Sequence, residues 1–483
     1  MSIKKNFFYN AILSVSQLVL PLVTFPYVTR VLLPKGLGDV NFVDSIVQYL
    51  MVVAALGIPL YGTREIARAR NSPERLHQIF SELLILHVLL SFGLALLFLV
   101  VGFNIKPLRD EFTLCMIGSG LILSNSFVIT WFYSGLEEFA YITKVNLIIR
   151  ILSVIAVFIF IKVPEDKNLY YGVSLATVVT TAGINFYYAR NFVVLRLNKF
   201  SLKKYFKPLL MLFSLSIFTN AYVLLDSVIL GFLKNTIEVG YYTVSMRISK
   251  LPISLISSLT IVLIPALSSI GVNNQQTASI INKSFSFTYL FCIPIALGLF
   301  TLSPELVHVF AGTDFLASID SLRILSFIII PIGTALVCYQ VLLPLNKERL
   351  MISTAIVGLC TSLGLNFLLV PLFESSGSAT ASLITEIVVA ALLLYYSKKI
   401  TRIFLPYRTL AHAFLTSLSF IAVRWIVLHI SDRPISVIIL TVIFSSVIYL
   451  LTMIFLFKNE FLKNNVYQVV RKASTFVNSR HKS

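Results

Sequence analysis

The chain has 483 residues, of which 57% are hydrophobic and only 12% are charged, and its formal net charge is +18. Apolar segments of roughly 20 residues recur from end to end and mean hydropathy is +0.89, which excludes a soluble protein built of domains with polar surfaces. The basic residues cluster at the ends of these segments instead of forming one stripe with aromatic neighbours, so the charge argues against a nucleic-acid binder and favours the positive-inside rule.

Fourteen apolar runs, broken at charged or Gly/Pro-rich turns, predict fourteen transmembrane helices. The first run begins with basic residues as a signal peptide does, but it is longer and has no small-residue cleavage site, so we expect it to be retained. In chain order, the predicted spans are 6–33, 40–63, 77–103, 112–135, 139–162, 168–190, 206–233, 237–270, 278–302, 316–344, 350–372, 377–397, 407–430 and 434–457.

The distribution of lysine and arginine predicts the orientation of these spans. With the N-terminus in the cytoplasm, 26 basic residues fall on the cytoplasmic side, 7 on the outer side and 6 within spans. This bias is the one that the positive-inside rule requires, and an even number of spans places both termini in the cytoplasm. Residues 61–70, "YGTREIARAR", end the second span on the cytoplasmic side, where lipid headgroups are the expected partner.

A weak internal repeat divides the first twelve predicted spans into two blocks of six. The longest polar connection, residues 189–207, separates the blocks, and "GDVNFVDSIVQYL" from Gly38 and "GYYTVSMRISKLP" from Gly240 open the second span of each block. Paired parallel repeats are typical of transporters with a central cavity. We expect an N-lobe (1–200, spans one to six), a C-lobe (201–400, spans seven to twelve), two further spans (401–457) and a basic cytoplasmic tail (458–483).

Two cations lie well inside the predicted eighth span. Arg247 and Lys250 are three residues apart and therefore share one face of a helix. Each would cost about 2.5 to 3.5 kcal/mol at the bilayer centre, so a water-filled cavity is the cheaper environment. A cavity with fixed cations and few acids favours an anionic ligand, and the planar fork of arginine suits phosphate oxygens. The alternative is that Lys250 snorkels or that Asp226 on span seven neutralises one charge.

Other arginines lie within predicted spans as well. Arg150 lies about twelve residues into span five among apolar neighbours, which makes it a second candidate for binding an anion, unless it pairs with the acids of "GLEEF". Arg30 and Arg424 lie nearer the outer ends of spans one and thirteen, where snorkelling is easy. We expect Arg424 to snorkel, and Arg30 stays a candidate for the cavity.

The embedded acids are Asp44 on span two, Asp226 on span seven and Glu386 on span twelve. A buried carboxylate with a raised pKa can carry a proton, and an ionised one can bind Na⁺, so each is a candidate for coupling transport to an ion gradient. A structural ion pair with one of the embedded arginines is the alternative.

The sequence offers little that supports catalysis or a cofactor. His308 lies near Glu305, Asp314 and Asp320, but their spacing fits no metal motif, and we expect a loop there. The cysteines all lie in apolar runs and outside CxxC spacing. The sequence contains no Walker A or GxSxG motif, so we expect a protein that is not an enzyme and that needs no cofactor or metal beyond a coupling H⁺ or Na⁺.

Four stretches carry a resemblance to a known family: "LPLVTFPYVTRVLLPKGLGDVNFVDSI" (20–46), "ALGIPLYGTREIARAR" (55–70), "WFYSGLEEFAYITKVNLIIRIL" (131–152) and "VGYYTVSMRISKLP" (239–252). They resemble the Wzx-type O-antigen and capsular polysaccharide flippases of the multidrug/oligosaccharidyl-lipid/polysaccharide exporter superfamily. The likeness extends over essentially the entire chain. It implies an inverted V of two pseudo-symmetric six-helix lobes around a central cavity, with two extra C-terminal helices.

The resemblance also implies a function. Such a protein moves undecaprenyl-diphosphate-linked oligosaccharide repeat units across the bacterial inner membrane by alternating access, for O-antigen, capsule or exopolysaccharide assembly. Basic residues line the cavity in this family, and Arg30, Arg150 and Arg247 stand at matching positions. The implied partners are the lipid-linked oligosaccharide, membrane lipids, and the glycan polymerase and chain-length proteins, with no nucleic acid.

Two other transporter functions stay open at this point. A multidrug/cation antiporter of the same superfamily would favour acids in its cavity, and the excess of embedded basic residues argues against it. A flippase for a lipid-linked peptidoglycan precursor fits the same pattern. A membrane glycan polymerase or ligase fits less well, since it would need a large periplasmic loop and the longest outer connection has fewer than 20 residues.

Overall fold

The computed structural model describes residues 3–196, 203–253, 256, 275–345, 347–401 and 403–457. Within these residues every regular element is a helix. The first ten helices are α1 (Ile3–Ala55), α2 (Ile58–Ala69), α3 (Pro73–Asn104), α4 (Lys106–Arg109), α5 (Phe112–Asn125), α6 (Thr130–Gly135), α7 (Phe139–Phe160), α8 (Lys167–Ala189), α9 (Lys203–Leu233) and α10 (Thr236–Lys250). The next eight are α11 (Gln275–Thr301), α12 (Ser303–Ala311), α13 (Ser318–Ser326), α14 (Ile329–Leu342), α15 (Glu348–Ile400), α16 (Tyr407–Ser417), α17 (Ser419–Leu428) and α18 (Pro434–Leu451).

Helices α1 and α15 are each 53 residues long, and each is broken by one residue with non-helical backbone angles. Leu33 (φ 58°) breaks α1 directly before Pro34, and Glu374 (φ 54°) breaks α15 shortly after Pro371. Proline lacks the amide hydrogen that a continuous helix needs, and it restricts the residue before it. Each long helix therefore supplies residues to two of the predicted spans.

The predicted spans coincide with helices wherever they are described. Nine stretches of the described residues are long and apolar enough to cross a membrane, and two of these contain the breaks in α1 and α15. The eighth predicted span, 237–270, is helical over Thr236–Lys250, and its residues 254–255 and 257–270 lie outside the described residues, as does the expected tail at 458–483. The prediction of an all-helical, multi-pass membrane protein is confirmed.

The helices form two compact units. In unit 1, a buried aromatic cluster around Phe80, Trp131 and Phe132 joins α2, α3 and α6. In unit 2, a buried apolar cluster joins α11, α14, α15, α16 and α18. The lobe boundaries expected at 200 and 400, and the inverted V, stay predictions. Unit 1 comprises Met1–Val244, Phe310–Ser321 and Ile352–Thr385, and unit 2 comprises Ser245–Val309, Leu322–Met351 and Glu386–Ser483.

Two glycines allow α1 and α10 to cross at very short range within unit 1. A Cβ atom added to Gly38 would lie 1.7 Å from the carbonyl oxygen of Thr236, and one added to Gly240 would lie 2.2 Å from the carbonyl oxygen of Pro34. The contact is reciprocal, since Gly38 faces the carbonyl of Thr236 and Gly240 faces the carbonyl of Pro34. Pro34 lies 202 positions before Thr236, and Gly38 lies 202 positions before Gly240. Contacts across a two-fold axis have this form. The crossing therefore brings the two copies of the predicted repeat motif together.

We expect Gly38→Ala to lower the thermal stability of the protein, because the new Cβ would overlap a backbone carbonyl that no change of rotamer can move. Overpacking a filled interior costs about 1 to 3 kcal/mol. The matched control is Gly172→Ala on α8, since a Cβ at that position meets no atom within 4 Å. Size-exclusion chromatography of heated, detergent-purified protein compares the two variants. Equal melting temperatures would show that the crossing tolerates a side chain.

Candidate functional site

A fully buried carboxylate, Asp226 on α9, lies at the centre of a polar cluster in unit 1. Its Oδ1 accepts hydrogen bonds from Ser362 Oγ (3.1 Å) and Asn366 Nδ2 (2.8 Å). Its Oδ2 accepts a hydrogen bond from Tyr242 Oη (2.9 Å) and another from the Ser382 hydroxyl. Four neutral donors therefore surround one carboxylate inside an apolar bundle.

The break in α15 places the donors on both sides of Asp226. Ser362 and Asn366 lie one turn apart before the break, and Ser378 and Ser382 lie one turn apart after it. The Ser378 hydroxyl donates to Asn366 Oδ1 (2.8 Å), which joins the two arms of the helix and fixes the orientation of the Asn366 amide. The amide nitrogen then points at the carboxylate.

The partners of Asp226 decide which chemistry this cluster can perform. Among the described residues, no lysine, arginine or histidine pairs with Asp226. Hydrogen bonds from neutral donors stabilise the ionised form but leave its charge uncompensated. Hydroxyl and carboxylate oxygens are the ligands that hard cations prefer. The arrangement can therefore accept a proton or a small monovalent cation.

The other two candidate acids occupy different surroundings. Asp44 on α1 is half-buried in unit 1, where it accepts hydrogen bonds from Gln48 Nε2 (2.6 Å) and from Tyr171 Oη (3.2 Å). Glu386 on α15 is buried in unit 2. In Asp226, each carboxylate oxygen accepts hydrogen bonds from two described side chains.

The two cations predicted on the eighth span lie on one helix, as expected. Arg247 is exposed and Lys250 is half-buried on the last turn of α10. Both belong to unit 2, whereas the other basic candidates, Arg30 and Arg150, belong to unit 1.

Arg150 and Arg30 differ in the hydrogen bonds that their guanidinium groups make. Arg150 is half-buried near the middle of α7 and has neither a hydrogen bond nor an ion pair within the described part of the chain. Arg30 is exposed, and its Nη1 donates to the carbonyl oxygen of Pro26 (3.2 Å). The acid of "GLEEF" at Glu137 instead pairs with Arg70 (3.2 Å). Arg150 is therefore the embedded cation best supplied with spare donors.

The expectation that Arg424 snorkels is wrong. Arg424 binds the buried Glu305, with Nη2 2.7 Å from Oε1 and Nε 3.2 Å from Oε2. Glu305 lies on α12, where a loop was expected, because Pro304 fits the first turn of a helix and apolar residues follow it. The two residues are 119 positions apart, so no local pattern in the sequence indicates the pair.

A second polar cluster that the sequence did not predict joins three helices of unit 1. Lys167 Nζ lies 2.6 Å from Oδ2 of the buried Asp39 and 2.7 Å from Oε1 of Glu111. Burial raises the pKa of Glu111, although the hydrogen bond from Lys167 opposes that shift. These contacts hold the start of α8 against α1 and α5, and we therefore interpret the cluster as structural.

Comparison with known proteins assigns the chain to a family. Residues 3–271 match the model of the family described as polysaccharide biosynthesis protein. The chain belongs to this family. Over 415 residues it is 26% identical to a candidate O-antigen transporter of Escherichia coli (strain K12), a match that covers 82% of this chain and 97% of the relative. It is 25% identical over 403 residues to a candidate O-antigen transporter of Shigella dysenteriae, covering 81% and 99%.

Solved structures with the same fold are membrane transporters. The lipid II flippase MurJ in an inward closed conformation matches this polysaccharide biosynthesis protein with a TM-score of 0.77 at 16% identity, over 94% of this chain and 100% of MurJ. An inward-facing multidrug resistance transporter of the MATE family matches with a TM-score of 0.65 at 15% identity, over 79% and 94%. The protein is a multi-pass membrane protein of the polysaccharide biosynthesis family, and it shares its fold with these transporters.

We expect Arg424→Ala to destabilise the protein strongly, because it leaves Glu305 buried without its partner. Removing one member of a buried pair costs about 3 to 5 kcal/mol. Arg433→Ala, at an exposed position beyond α17, is the control for loss of an arginine. The double variant Arg424→Ala/Glu305→Leu should recover much of the lost stability, since no buried charge is left over. A melting temperature of Arg424→Ala equal to that of the control would contradict the buried pair.

Proposed function

We propose that the protein is a flippase that moves undecaprenyl-diphosphate-linked oligosaccharide repeat units from the cytoplasmic to the outer leaflet of the bacterial inner membrane, by alternating access. The observation that supports this most directly is the likeness to candidate O-antigen transporters over nearly their full length. The family description, polysaccharide biosynthesis protein, supports a substrate of the same chemistry. O-antigen, capsule and exopolysaccharide assembly all use such a carrier.

The embedded arginines fit the charged part of this substrate. A diphosphate cannot cross the hydrocarbon core unless cations replace its water. Arg247 presents an exposed guanidinium on α10, and Arg150 keeps a half-buried guanidinium within α7. We assign Arg247, together with Lys250, Arg150 and Arg30, to binding the diphosphate. The polyprenyl tail stays in lipid during the transfer while the glycan passes through water.

We further propose that Asp226 couples transport to a gradient of H⁺ or Na⁺. Its carboxylate faces neutral donors alone among the described residues, so binding and release of one cation changes the net charge of the cluster. Such a change shifts the equilibrium between the two conformations of alternating access only if these conformations differ in their affinity for the cation. Asp44 and Glu386 are further candidates for this role, and no other cofactor is needed.

The proposed function also implies how the protein is oriented in the membrane and which proteins act after it. Both termini lie in the cytoplasm, as the 26 to 7 distribution of basic residues favours. On the outer side, the flipped repeat unit passes to a glycan polymerase, whose product length is set by chain-length proteins. Neither nucleotide nor nucleic acid takes part.

We expect Arg247→Ala to abolish or severely reduce surface glycan in a flippase-null strain. Losing one charge-assisted contact costs about 1.5 to 3 kcal/mol, which weakens binding roughly ten- to 150-fold. Arg247→Lys should keep part of the activity, because the charge survives and only the planar fork is lost. Arg349→Ala, at an exposed position at the start of α15, is the matched control.

Surface glycan and protein level are measured together, by glycan immunoblot and by immunoblot of the membrane fraction. Normal glycan export by Arg247→Ala would refute the assignment of this residue. Loss of the Arg247→Ala protein from the membrane would place the residue in a structural role instead.

A further inference from the structure

A basic surface lies where α2 turns into α3 in unit 1. At its centre, Glu65 is buried on the inner face of α2. Arg68 Nη1 lies 2.9 Å from Glu65 Oε1, Arg64 Nε lies 3.6 Å from the same oxygen, and Arg75 Nη2 lies 3.7 Å from Oε2. One carboxylate thus orients three guanidinium groups. The side chains of these arginines are still 53%, 60% and 60% exposed.

A second buried acid extends this surface onto α9. Lys204 Nζ lies 2.7 Å from Oε2 of Glu82 on α3, and the Tyr205 hydroxyl and the Gln78 amide donate to the same carboxylate. Glu82 is buried, whereas the Lys204 side chain is 44% exposed. The pattern of the first cluster is repeated: a buried acid holds an exposed cation in place.

Two tyrosines connect the clusters into one surface. The Arg64 guanidinium lies 5.5 Å from the ring centre of Tyr61, and the ring of Tyr61 meets that of Tyr205 edge to face at 5.8 Å. Lys204 Nζ lies 4.7 Å from the ring centre of Tyr205. Cations held over aromatic faces lose less freedom on binding a ligand, because their positions are already fixed. We call this surface, formed by Arg64, Arg68, Arg75 and Lys204, the basic plate.

The charges of the basic plate do not cancel. Four cations face two carboxylates, which leaves an excess of two positive charges. An arginine has five N–H donors, and a single shared carboxylate occupies few of those on the three guanidiniums. The free donors of several guanidiniums point to a ligand with many acceptor oxygens, as in phosphate.

The position of the basic plate limits what can reach it. Helix α2 is the end of one stretch that is long and apolar enough to cross a membrane, Leu20–Ala69, and a short turn joins it to the start of another, α3 itself. The plate therefore lies at the level of the lipid headgroups, on the side predicted to be cytoplasmic. A ligand that diffuses within that leaflet meets the plate without leaving the membrane.

We propose that the basic plate is a docking site for the diphosphate of a polyprenyl-linked substrate in the cytoplasmic leaflet. This rests on the proposed function and adds a place where substrate is captured before it reaches Arg247. A phosphodiester headgroup carries one negative charge, whereas the diphosphate bridge of a glycan carrier carries two, which matches the excess charge of the plate. The plate raises the local concentration of substrate through a charge-assisted, salt-sensitive contact.

The test uses the full-length protein in nanodiscs of zwitterionic lipid, with farnesyl diphosphate as the probe. The variant is Arg64→Gln/Arg75→Gln, chosen because Arg68, at hydrogen-bonding distance, still neutralises Glu65 and preserves the fold. We expect this variant to bind the probe at least tenfold more weakly. The control, Arg190→Gln, removes an exposed arginine that lies over Tyr187 on α8, and it should bind as the wild type does.

Two outcomes overturn the proposal. Binding of farnesyl diphosphate that is unchanged in the double variant would show that the plate takes no diphosphate. If phosphatidylglycerol in the nanodisc competes equally well with farnesyl diphosphate, the basic plate is a general site for anionic lipid headgroups. The measurement involves no transport, so failure of the docking site is distinguishable from failure of the glycan export test of Arg247→Ala.

Discussion

A buried carboxylate in the apolar interior of a membrane protein needs partners within the protein, because water is absent there and desolvation is costly. In the described helices this constraint is met in two ways. Glu305, Glu82 and Asp39 are each bound by a cation from a distant part of the chain, at 2.7, 2.7 and 2.6 Å. Asp226 is bound by four neutral donors instead. The paired acids join helices, whereas the described donors to Asp226 carry no positive charge.

The long-range pairs also explain how this chain holds its broken helices. In α15 the break at Glu374 lets both arms contribute donors to Asp226, and Lys234 and Glu238 contact the turn itself at 3.4 and 3.1 Å. In α1 the break at Leu33 lies beside the glycine crossing with α10. Both breaks lie where two predicted spans meet, Leu33 at the end of 6–33 and Glu374 between 350–372 and 377–397. The candidate coupling site and the repeat contact both depend on these breaks.

Much of the fold was predictable from the sequence because the hydropathy of each span is a local property. Where they are described, the apolar runs fall on helices, and Arg247 and Lys250 lie on one helix as their spacing required. The partners of Asp226 were not predictable, since Tyr242, Asn366 and Ser382 come from two helices and from both sides of a break. The pairing of Arg424 with Glu305 was missed for the same reason, as only the folded chain brings residues 119 positions apart together.

In the proposed mechanism, basic residues bind the diphosphate, and Asp226 binds the cation whose gradient drives the transfer. The direct measurement is translocation of a fluorescent undecaprenyl-diphosphate oligosaccharide in proteoliposomes, without nucleotide, with and without an imposed Na⁺ or H⁺ gradient. We predict that one gradient accelerates translocation by the wild type and that Asp226→Asn, which keeps the shape of the side chain, loses the acceleration. A rate that no gradient changes, or one equal to that of protein-free vesicles, would contradict it.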